Sequence, residues 1–248
     1  MKRFMVVLTG TVLIVTGSLA VKYLVGDAIG APLPCGGRPP TIVGTPGNDV
    51  LIGTNGDDVI FGMGGNDVIK AKGGNDCIVT GDGDDIIDGG PGDDTISDSG
   101  GNNVINGGEG NDVIMTGKGN DRIDGGKGID TIIDLGGNNI INGGECDDFI
   151  TVYGPGNNII SGGDKDDTIV VHGGTNRIEG NQGNDTITLT DDDGTSTING
   201  GFGCDTCSTD GSSSISFCEP GCPSVGPPDC KTKVIFPCDE EEDNCFPR

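Results

Sequence analysis

The sequence is poor in the residues that fill most globular cores and most catalytic sites. Its 248 residues include no Trp, 2 Tyr, 7 Phe and a single histidine, His172. So few bulky side chains cannot fill the interior of a helical bundle or a β-sandwich. One histidine is a poor basis for a zinc centre or for His-dependent catalysis. No Ser, Cys or carboxylate partner is singled out by spacing, so we assign His172 a structural or surface role.

Basic residues are also scarce. There are 14 Lys and Arg against 39 Asp and Glu, and the net charge is −25. The charge argues against nucleic acid and anionic membranes as partners, because phosphate contacts are made by clustered Lys and Arg. An alternative is that the acidity only maintains solubility, but the regular placement of the acids favours cations as partners.

The N-terminus has the pattern of an export signal. Lys2 and Arg3 precede an apolar run from Phe4 to Val21, and Ser18 and Ala20 have the spacing that a signal peptidase accepts. We predict a signal peptide over residues 1–20 and an extracellular or cell-surface location. The run is also long enough for an uncleaved membrane anchor, which stays open as an alternative.

A nine-residue repeat accounts for most of the remaining chain. Asp or Asn recurs every nine residues from Asp49 to Asp148, usually with Gly two before and Leu or Ile two after. The series shifts by one residue near Tyr153, resumes at Asn158 and frays after Asp185. Glycine permits tight loops and β-branched residues favour strands, so each unit predicts one loop and one short strand. The predicted inward-facing positions begin with Ile60, Ile69, Ile78, Ile87, Ile96, Ile105 and Ile114.

Individual units have a specific form. Gly89-Gly90-Pro91-Gly92-Asp93-Asp94-Thr95-Ile96 resembles the RTX, or hemolysin-type, nonapeptide G-G-x-G-x-D-x-U-x, and the similarity extends from about Thr45 to Ile215. The resemblance implies an all-β fold, a right-handed parallel β-roll (β-solenoid). Each coil of eighteen residues would contain two strands and two loops, with calcium held between stacked loops. At ordinary strand spacing, about nine coils would make a rod on the order of 45 Å long.

The residue types of the loops independently favour calcium. Ca²⁺ prefers six to eight hard oxygen ligands, which Asp carboxylates and glycine-rich carbonyls supply. The predicted metal ligands are Asp49, Asp58, Asp67, Asp76, Asp85, Asp94, Asp112, Asp121, Asp130, Asp148, Asp167, Asp185 and Asp205. Without residues 1–20 the charge is about −27, and roughly ten Ca²⁺ ions would reduce it to about −7.

Alternate repeats must lie on opposite edges of an eighteen-residue coil, which sorts these positions into two columns. The first column is Asp58, Asp76, Asp94, Asp112, Asp130, Asp148, Asp167, Asp185 and Asp205. The second column is Asp49, Asp67, Asp85, Asn103, Asp121, Asn139, Asn158, Asn176, Ser196 and Ser213. From Gly89 onward the paired glycines accompany the first column only. We therefore predict calcium along the first column and, in the second, near its start at Asp49, Asp67 and Asp85.

Two loops of the first column depart from the pattern. Cys146 and Lys165 occupy positions where glycine is expected, two residues before Asp148 and Asp167. A side chain there predicts backbone strain and reduced calcium occupancy.

The cysteines indicate disulfides in an exported protein. Seven of the ten are Cys204, Cys207, Cys218, Cys222, Cys230, Cys238 and Cys245, and together with several prolines they predict a small disulfide-rich C-terminal cap. A zinc site at Cys204-x-x-Cys207 is an alternative. Cys77 and Cys146 are about four coils apart, too far to bond. We hypothesise that Cys35 pairs with Cys77 and that the tail folds back to Cys146.

The predicted organisation is a signal peptide at 1–20, an N-terminal lead at 21–44, repeats at 45–216 and a cap with an acidic tail at 217–248. Because repeats and tail leave no room for a catalytic domain, we expect no enzyme activity. The favoured function is a secreted calcium-binding structural or interaction protein that folds on binding calcium. A less favoured function is an accessory module of an enzyme.

Two outward faces support alternative functions. A threonine follows several first-column aspartates, at Thr95, Thr131, Thr168, Thr186 and Thr206, but other residues interrupt this row. An ice- or polysaccharide-binding face or a surface adhesin would require such a row. An apolar row consists of Val50, Val68, Ile86, Val104, Ile140 and Ile159. Ordinary β propensity explains such residues, and self-association through this face is the alternative.

Overall fold

The computed structural model describes residues 34–190 and 196–209, together with the backbone of two short strands, β1 (Phe4–Leu8) and β2 (Thr11–Val15). β1 and β2 pair antiparallel, with Phe4 opposite Val15. Within the described part of the chain, no helix is long and apolar enough to cross a membrane. Most of the predicted signal peptide and lead, Ser213 and the predicted cap lie outside the described residues, so the domain boundaries stay predictions.

Two parallel sheets follow a short turn at Pro34–Gly37, in which Cys35 and Gly36 have φ values of 58°. Sheet I has nine strands: β4 (Val50–Ile52), β6 (Val68–Lys70), β8 (Ile86–Pro91), β10 (Val104–Glu109), β12 (Arg122–Lys127), β14 (Ile140–Glu145), β16 (Ile159–Asp164), β18 (Arg177–Gln182) and β20 (Thr197–Phe202). Sheet II has ten: β3 (Ile42–Val43), β5 (Val59–Phe61), β7 (Cys77–Val79), β9 (Thr95–Ser97), β11 (Val113–Thr116), β13 (Thr131–Asp134), β15 (Phe149–Tyr153), β17 (Thr168–His172), β19 (Thr186–Thr190) and β21 (Thr206–Thr209).

Successive strands alternate between the sheets, and each pairs with the strand two places along the chain. Ile105 lies beside Ile87 and Ile123, one coil of eighteen residues in either direction. The offset grows by one residue where Ile140 pairs with Ile159, which confirms the predicted insertion near Tyr153. The fold is the predicted all-β parallel solenoid, with two strands and two loops per coil.

One isoleucine per strand builds the core. The predicted inward positions are confirmed: Ile60, Ile69, Ile78, Ile87, Ile96, Ile105 and Ile114 are all at most 1 % exposed. Alternation of side chains across a strand turns the adjacent residues outward. Isoleucine suits these positions because its β-branched side chain packs well on a pleated strand. Each coil depends on its neighbours to bury these side chains, so no coil is stable alone.

The predicted strain in two loops is also confirmed. Cys146 and Lys165 have φ values of 86° and 82°, in the left-handed region where glycine is favoured. At the equivalent positions Gly110 and Gly128 have φ values of 127° and 118°. The backbone therefore keeps the glycine conformation at Cys146 and Lys165 at a cost of roughly 1–3 kcal/mol each.

A disulfide joins Cys35 to Cys77, as hypothesised, with a Cα–Cα distance of 5.6 Å. Cys35 packs on a small apolar cluster of Val59, Phe61 and Cys77, separate from the isoleucine core. The bond therefore attaches the segment before β3 to β7.

The hypothesis for Cys146 is wrong. Cys146 is an exposed free thiol, because its loop position faces the outside of the roll and no partner cysteine is bonded there. Cys204 and Cys207 are disulfide-bonded, which argues against zinc at this pair because a bonded cysteine has no thiolate to bind a metal.

Loss of the Cys35–Cys77 bond is expected to destabilise the protein. Replacing both residues by serine should lower the unfolding free energy by about 2–4 kcal/mol, because the bond spans 42 residues and restricts the unfolded chain. Thermal unfolding in saturating calcium measures the change, and Cys146→Ser is the control that should unfold like the wild type. Equal melting temperatures for all three proteins would contradict the prediction.

Candidate metal sites along the two edges

The two predicted columns lie on opposite edges of the roll. The first edge is formed by loops that lead from sheet I to sheet II, such as the one between β8 and β9 that contains Asp94. The second edge is formed by loops that lead from sheet II to sheet I, such as the one between β9 and β10 that contains Asn103. Because every loop follows a strand of fixed register, equivalent residues stack one coil apart.

Each column residue bonds to the next one along its edge. The backbone N–H of Asp112 donates to Asp130 Oδ1 at 2.7 Å, and that of Asp130 donates to Asp148 Oδ1 at 2.7 Å. The pattern holds on the first edge from Asp58 to Asp205. On the second edge, Asn103 and Asn139 accept through Oδ1 in the same way. Asparagine therefore preserves this inner ladder without the charge.

The second carboxylate oxygen of most column aspartates has no hydrogen-bond donor. Buried, unpartnered Oδ2 atoms on the first edge belong to Asp76, Asp94, Asp112, Asp130, Asp148, Asp167, Asp185 and Asp205. On the second edge they belong to Asp67, Asp85 and Asp121. A buried anionic oxygen without a donor is costly, so each of these groups requires a cation or a proton.

Most of the unpartnered oxygens face a glycine. We call the residue five positions before each column residue the cradle position; for Asp130 it is Gly125. A Cβ on Gly125 would lie 2.5 Å from Asp130 Oδ2 and 2.5 Å from the Gly143 carbonyl oxygen of the next coil. The carboxylate of one coil and the carbonyl of the next therefore converge where no side chain fits. The same arrangement recurs at Gly89, Gly107, Gly143, Gly162 and Gly180.

These donors fit calcium better than a softer metal. In residues 34–190 and 196–209, no three His, Cys, Asp or Glu side chains come together as a metal site. A cation on the first edge would take a carboxylate oxygen from the column residue and main-chain carbonyls for much of its remaining coordination. Such all-oxygen, flexible coordination is typical of calcium, whereas zinc selects nitrogen and sulfur.

The electrostatics of the first edge indicate the same need for positive charge. Burial raises the pKa of Asp94, Asp130 and Asp148 to about 7 and that of Asp167 to about 8, and neighbouring carboxylates add to the effect. The backbone N–H bonds of the inner ladder lower these pKa values only in part. Without a cation, the buried carboxylates are close to protonation at neutral pH.

The first aspartate of each edge differs from the rest. Asp58 Oδ2 accepts hydrogen bonds from the Thr54 backbone N–H at 2.6 Å and the Thr54 hydroxyl at 2.9 Å. Burial raises the Asp58 pKa, but these bonds and one from Thr41 outweigh it and leave the pKa below its usual value. Asp49 is bonded in the same way to Thr45. Both predicted ligands are therefore in place, but their carboxylates are satisfied by the loop itself.

A second ladder was not foreseen from the sequence. The backbone N–H of Asn102 donates to Asp84 Oδ1 at 2.7 Å, and that of Asn120 donates to Asn102 Oδ1 at 2.9 Å. These residues directly precede the column residues, and their bonds run in the opposite direction to the inner ladder. Each loop is therefore held to both neighbouring coils. The signal was present, since Asn or Asp recurs at most of these positions with the same nine-residue spacing, with interruptions such as Ile129 and Thr175.

His172 lies on the outer side of sheet II. Its ring stacks on Tyr153 with centroids 4.8 Å apart, and its Nδ1 lies 2.6 Å from Thr190 Oγ1. Both neighbours are one coil away in the register of β15, β17 and β19. The contacts agree with a structural role for His172.

Filling one cradle position is expected to destabilise the roll. Gly125→Ala places a Cβ against Asp130 Oδ2 and the Gly143 carbonyl oxygen. The backbone of the neighbouring coil must shift to relieve this clash, so the unfolding free energy should fall by about 2–4 kcal/mol. Gly56→Ala is the matched control, since nothing lies within 4 Å of its Cβ. Chemical denaturation in saturating calcium compares them. Equal losses in the two variants would contradict the cradle geometry.

The chain matches the family model of the RTX calcium-binding nonapeptide repeat (4 copies). The matched segments are 43–78, 61–96, 88–123, 97–132, 124–154 and 152–187. They extend without a gap from residue 43 to residue 187, more than half of the 248-residue chain. No curated protein matches the chain. With the stacked aspartates, the glycine cradles and this match taken together, the chain belongs to the family of RTX calcium-binding nonapeptide repeat proteins.

Proposed function

We propose that this protein is a secreted calcium-binding structural or interaction protein whose β-roll folds on binding a column of Ca²⁺ ions. The observation that carries the proposal is the row of eight buried Asp Oδ2 atoms on the first edge that have no donor. Six of the glycine cradles described above present such an oxygen beside a carbonyl of the next coil. Family membership identifies calcium as the cation.

The proposed ligands are the thirteen aspartates predicted from the sequence, mainly those of the first edge. Bound Ca²⁺ would neutralise the carboxylates and join successive loops. We propose about ten ions, most of them along the first edge, with Asp67 and its neighbours Asp49 and Asp85 contributing at the start of the second. Lower occupancy is proposed near Cys146 and Lys165, where the loop backbone is strained.

Two adjacent aspartates allow a matched test. Asp94 is buried with an unpartnered Oδ2, whereas Asp93 is exposed and accepts only the Asn111 backbone N–H. Asp94→Asn should remove at least one ion and weaken overall calcium affinity, because the amide keeps the inner ladder but lacks the charge. Asp93→Asn removes the same charge and should retain the wild-type number of ions.

Equilibrium dialysis against radioactive calcium, with native mass spectrometry, counts the ions. The same ion count for Asp93→Asn and Asp94→Asn would contradict the assignment of the first-column aspartates as ligands. A wild-type protein that binds no calcium at millimolar concentration would overturn the proposed function itself.

The solenoid of these repeats is a structural calcium-binding fold and not a known enzyme fold, which supports a protein without enzyme activity. The predicted signal peptide supports export, and the excess of acid argues against nucleic acid as a partner. Binding to a cell-surface or polysaccharide partner, as an adhesin would, is less favoured. The threonine row on sheet II is interrupted by Val113 and Phe149, which are 41 % and 44 % exposed. Self-association through exposed Val50, Ile86 and Ile159 of sheet I stays a proposal.

A further inference from the structure

The cradle position differs between the two edges. On the first edge it is glycine in every coil from Gly89 onward. On the second edge it begins as Gly44 and Gly62 and then carries a buried side chain in each coil. These side chains are Thr80, Asp98, Thr116, Asp134 and Val171. Val152 and Leu189 occupy the equivalent place by strand register in the two coils where one or two extra residues precede the column residue. Beyond Gly62, the space that the first edge keeps clear is therefore filled on the second edge.

Two of the filling residues are carboxylates that the chain satisfies by itself. Asp98 Oδ2 accepts the Thr80 hydroxyl at 2.6 Å, and Asp98 Oδ1 accepts Asn103 Nδ2 at 2.7 Å. Asn103 Nδ2 also donates to the Gly101 carbonyl at 3.2 Å, and Asn103 Oδ1 accepts the Asp85 backbone N–H at 2.9 Å. We call Thr80, Asp98 and Asn103 the first clasp.

The same arrangement occurs again 36 residues along the chain. Asp134 Oδ2 accepts the Thr116 hydroxyl at 2.7 Å, and Asp134 Oδ1 accepts Asn139 Nδ2 at 2.7 Å and the Gly136 backbone N–H at 3.0 Å. Asn139 Oδ1 accepts the Asp121 backbone N–H at 2.8 Å. Thr116, Asp134 and Asn139 form the second clasp.

The residue types at the two positions are coupled. Where the cradle position is Asp, the column residue is Asn, as at Asn103 and Asn139. Where the cradle position is Thr, the column residue is Asp, as at Asp85 and Asp121. In a clasp the carboxylate lies at the cradle position, five residues before the column position. There it accepts hydrogen bonds from an amide and a hydroxyl, whereas the first-edge Oδ2 atoms described above have no donor. Random exchange between Asp and Asn would not produce two clasps with the same bonds.

We propose that the residue at the cradle position selects how a loop is closed: glycine leaves room for calcium, whereas aspartate with a column asparagine closes the loop by hydrogen bonds without metal. This inference rests on the proposed function for its calcium half. The loops of Asn103 and Asn139 therefore take no ion of their own, while Asp85 and Asp121 keep unpartnered Oδ2 atoms and stay candidate ligands. The two clasps make part of the second edge independent of calcium.

Restoring the first-edge residue types tests the proposal. Asp98→Gly with Asn103→Asp converts the first clasp to the glycine and aspartate of a calcium loop, and the double variant should bind at least one more Ca²⁺ than the wild type. Asp98→Gly alone is the matched control and should gain none, because it has no added column carboxylate. Asp134→Gly with Asn139→Asp repeats the test in the second clasp. Double variants that keep the wild-type β signal in calcium but bind no additional ion would overturn the proposal.

A thermodynamic cycle tests the clasp even where the double variants fail to fold. Melting temperatures in saturating calcium are compared for Asp98→Ala, Asn103→Ala and the combination of both. The clasp predicts that Asn103→Ala lowers the melting temperature by several degrees in the wild type and by much less when Asp98 is already Ala. Independent, additive losses would overturn the clasp. Absence of calcium binding in the wild type would instead refute the proposed function, and the cycle would still report on the clasp.

Discussion

Removal of calcium at pH 7.5 is expected to abolish most of the β-sheet signal of this protein in far-UV circular dichroism, and addition of calcium in the millimolar range should restore it. The first edge buries eight carboxylate oxygens that no group in the described chain satisfies. Each such oxygen costs about 1–3 kcal/mol or more when charged, whereas a typical domain is stable by only about 5–15 kcal/mol. The sum of eight such costs is comparable to that margin or larger, so the charged, metal-free roll should not persist.

Calcium is expected to change this balance, because the proposed sites exist only in the folded chain. The loops that hold the carboxylates are brought together only by the register of the two sheets, so binding free energy contributes directly to folding free energy. A titration should therefore show a cooperative rise in β signal that coincides with calcium uptake. The effect should be the largest of any single change in conditions, because every coil from Asp76 to Asp205 depends on it.

Magnesium is the matched control for ionic strength and charge. It demands a small, near-octahedral shell and gives up water reluctantly, so it should restore much less structure at the same concentration. A full β signal in excess chelator at neutral pH would contradict the prediction. Equal recovery with magnesium would show that charge screening, and not coordination, is responsible.

Acidification in the presence of chelator is expected to return part of the lost structure. Burial raises the pKa of Asp94, Asp130 and Asp148 to about 7, of Asp167 to about 8, and of Asp112 and Asp185 to about 6 in the metal-free fold. The ordinary value is 3.8. The folded state thus binds more protons than the unfolded state between about pH 4 and pH 8, and the metal-free fold loses stability as pH rises through that range.

The size of the effect is large because several groups titrate together. For a carboxyl whose pKa is raised to about 7, the shift corresponds to roughly 4 kcal/mol between pH 4 and pH 8. The metal-free chain should therefore gain β signal as pH falls from 8 to 5. In calcium the direction reverses, because protons compete for the same oxygens and the calcium affinity should fall over this range.

The control for acidification is a variant with fewer titrating carboxyls. The double variant Asp112→Asn with Asp130→Asn keeps the inner ladder but removes two of the carboxyls whose pKa is raised. Without metal, it should gain less β signal than the wild type on acidification. Measurements stay at pH 5 or above, because the sequence pI is about 4.1 and the protein should aggregate near it. Sedimentation velocity at each pH separates folding from association. No gain of structure between pH 8 and pH 5 would contradict the assignment of these buried carboxyls.

Much of the fold was predictable from local pattern. The spacing of nine predicted the strand and loop of each unit, the inward isoleucines and the parity of the two edges, because a regular repeat imposes the same local conformation and the same register throughout. Coil spacing excluded a bond between Cys77 and Cys146, and the hypothesised Cys35–Cys77 bond is present. Cys146 was wrongly assigned a partner, since sequence spacing does not show that its loop position faces outward.

The details of the edges were less accessible. Asp98 and Asp134 were visible in the sequence only as interruptions of a glycine pair, and nothing local shows that Thr80 and Thr116 lie beside them. These pairs are 18 residues apart, and their contacts exist only once neighbouring coils have stacked. The second ladder through Asn102 and Asn120 likewise joins residues 18 apart, so its bonds exist only between stacked coils.

The sequence alone determined the strand and loop of each unit, the eighteen-residue period, the preference for an oxygen-bound cation and the difference between the two edges, and its resemblance to the RTX nonapeptide implied the solenoid. It did so because glycine, aspartate and isoleucine recur at positions whose conformational preferences are local. Only the tertiary structure decided which carboxylate oxygens lack a donor, which are satisfied by Thr54 or Asn103, and which cradle positions are open. Those properties depend on residues one coil away, because the hydrogen bonds and the burial at the edges form only when neighbouring coils pack together.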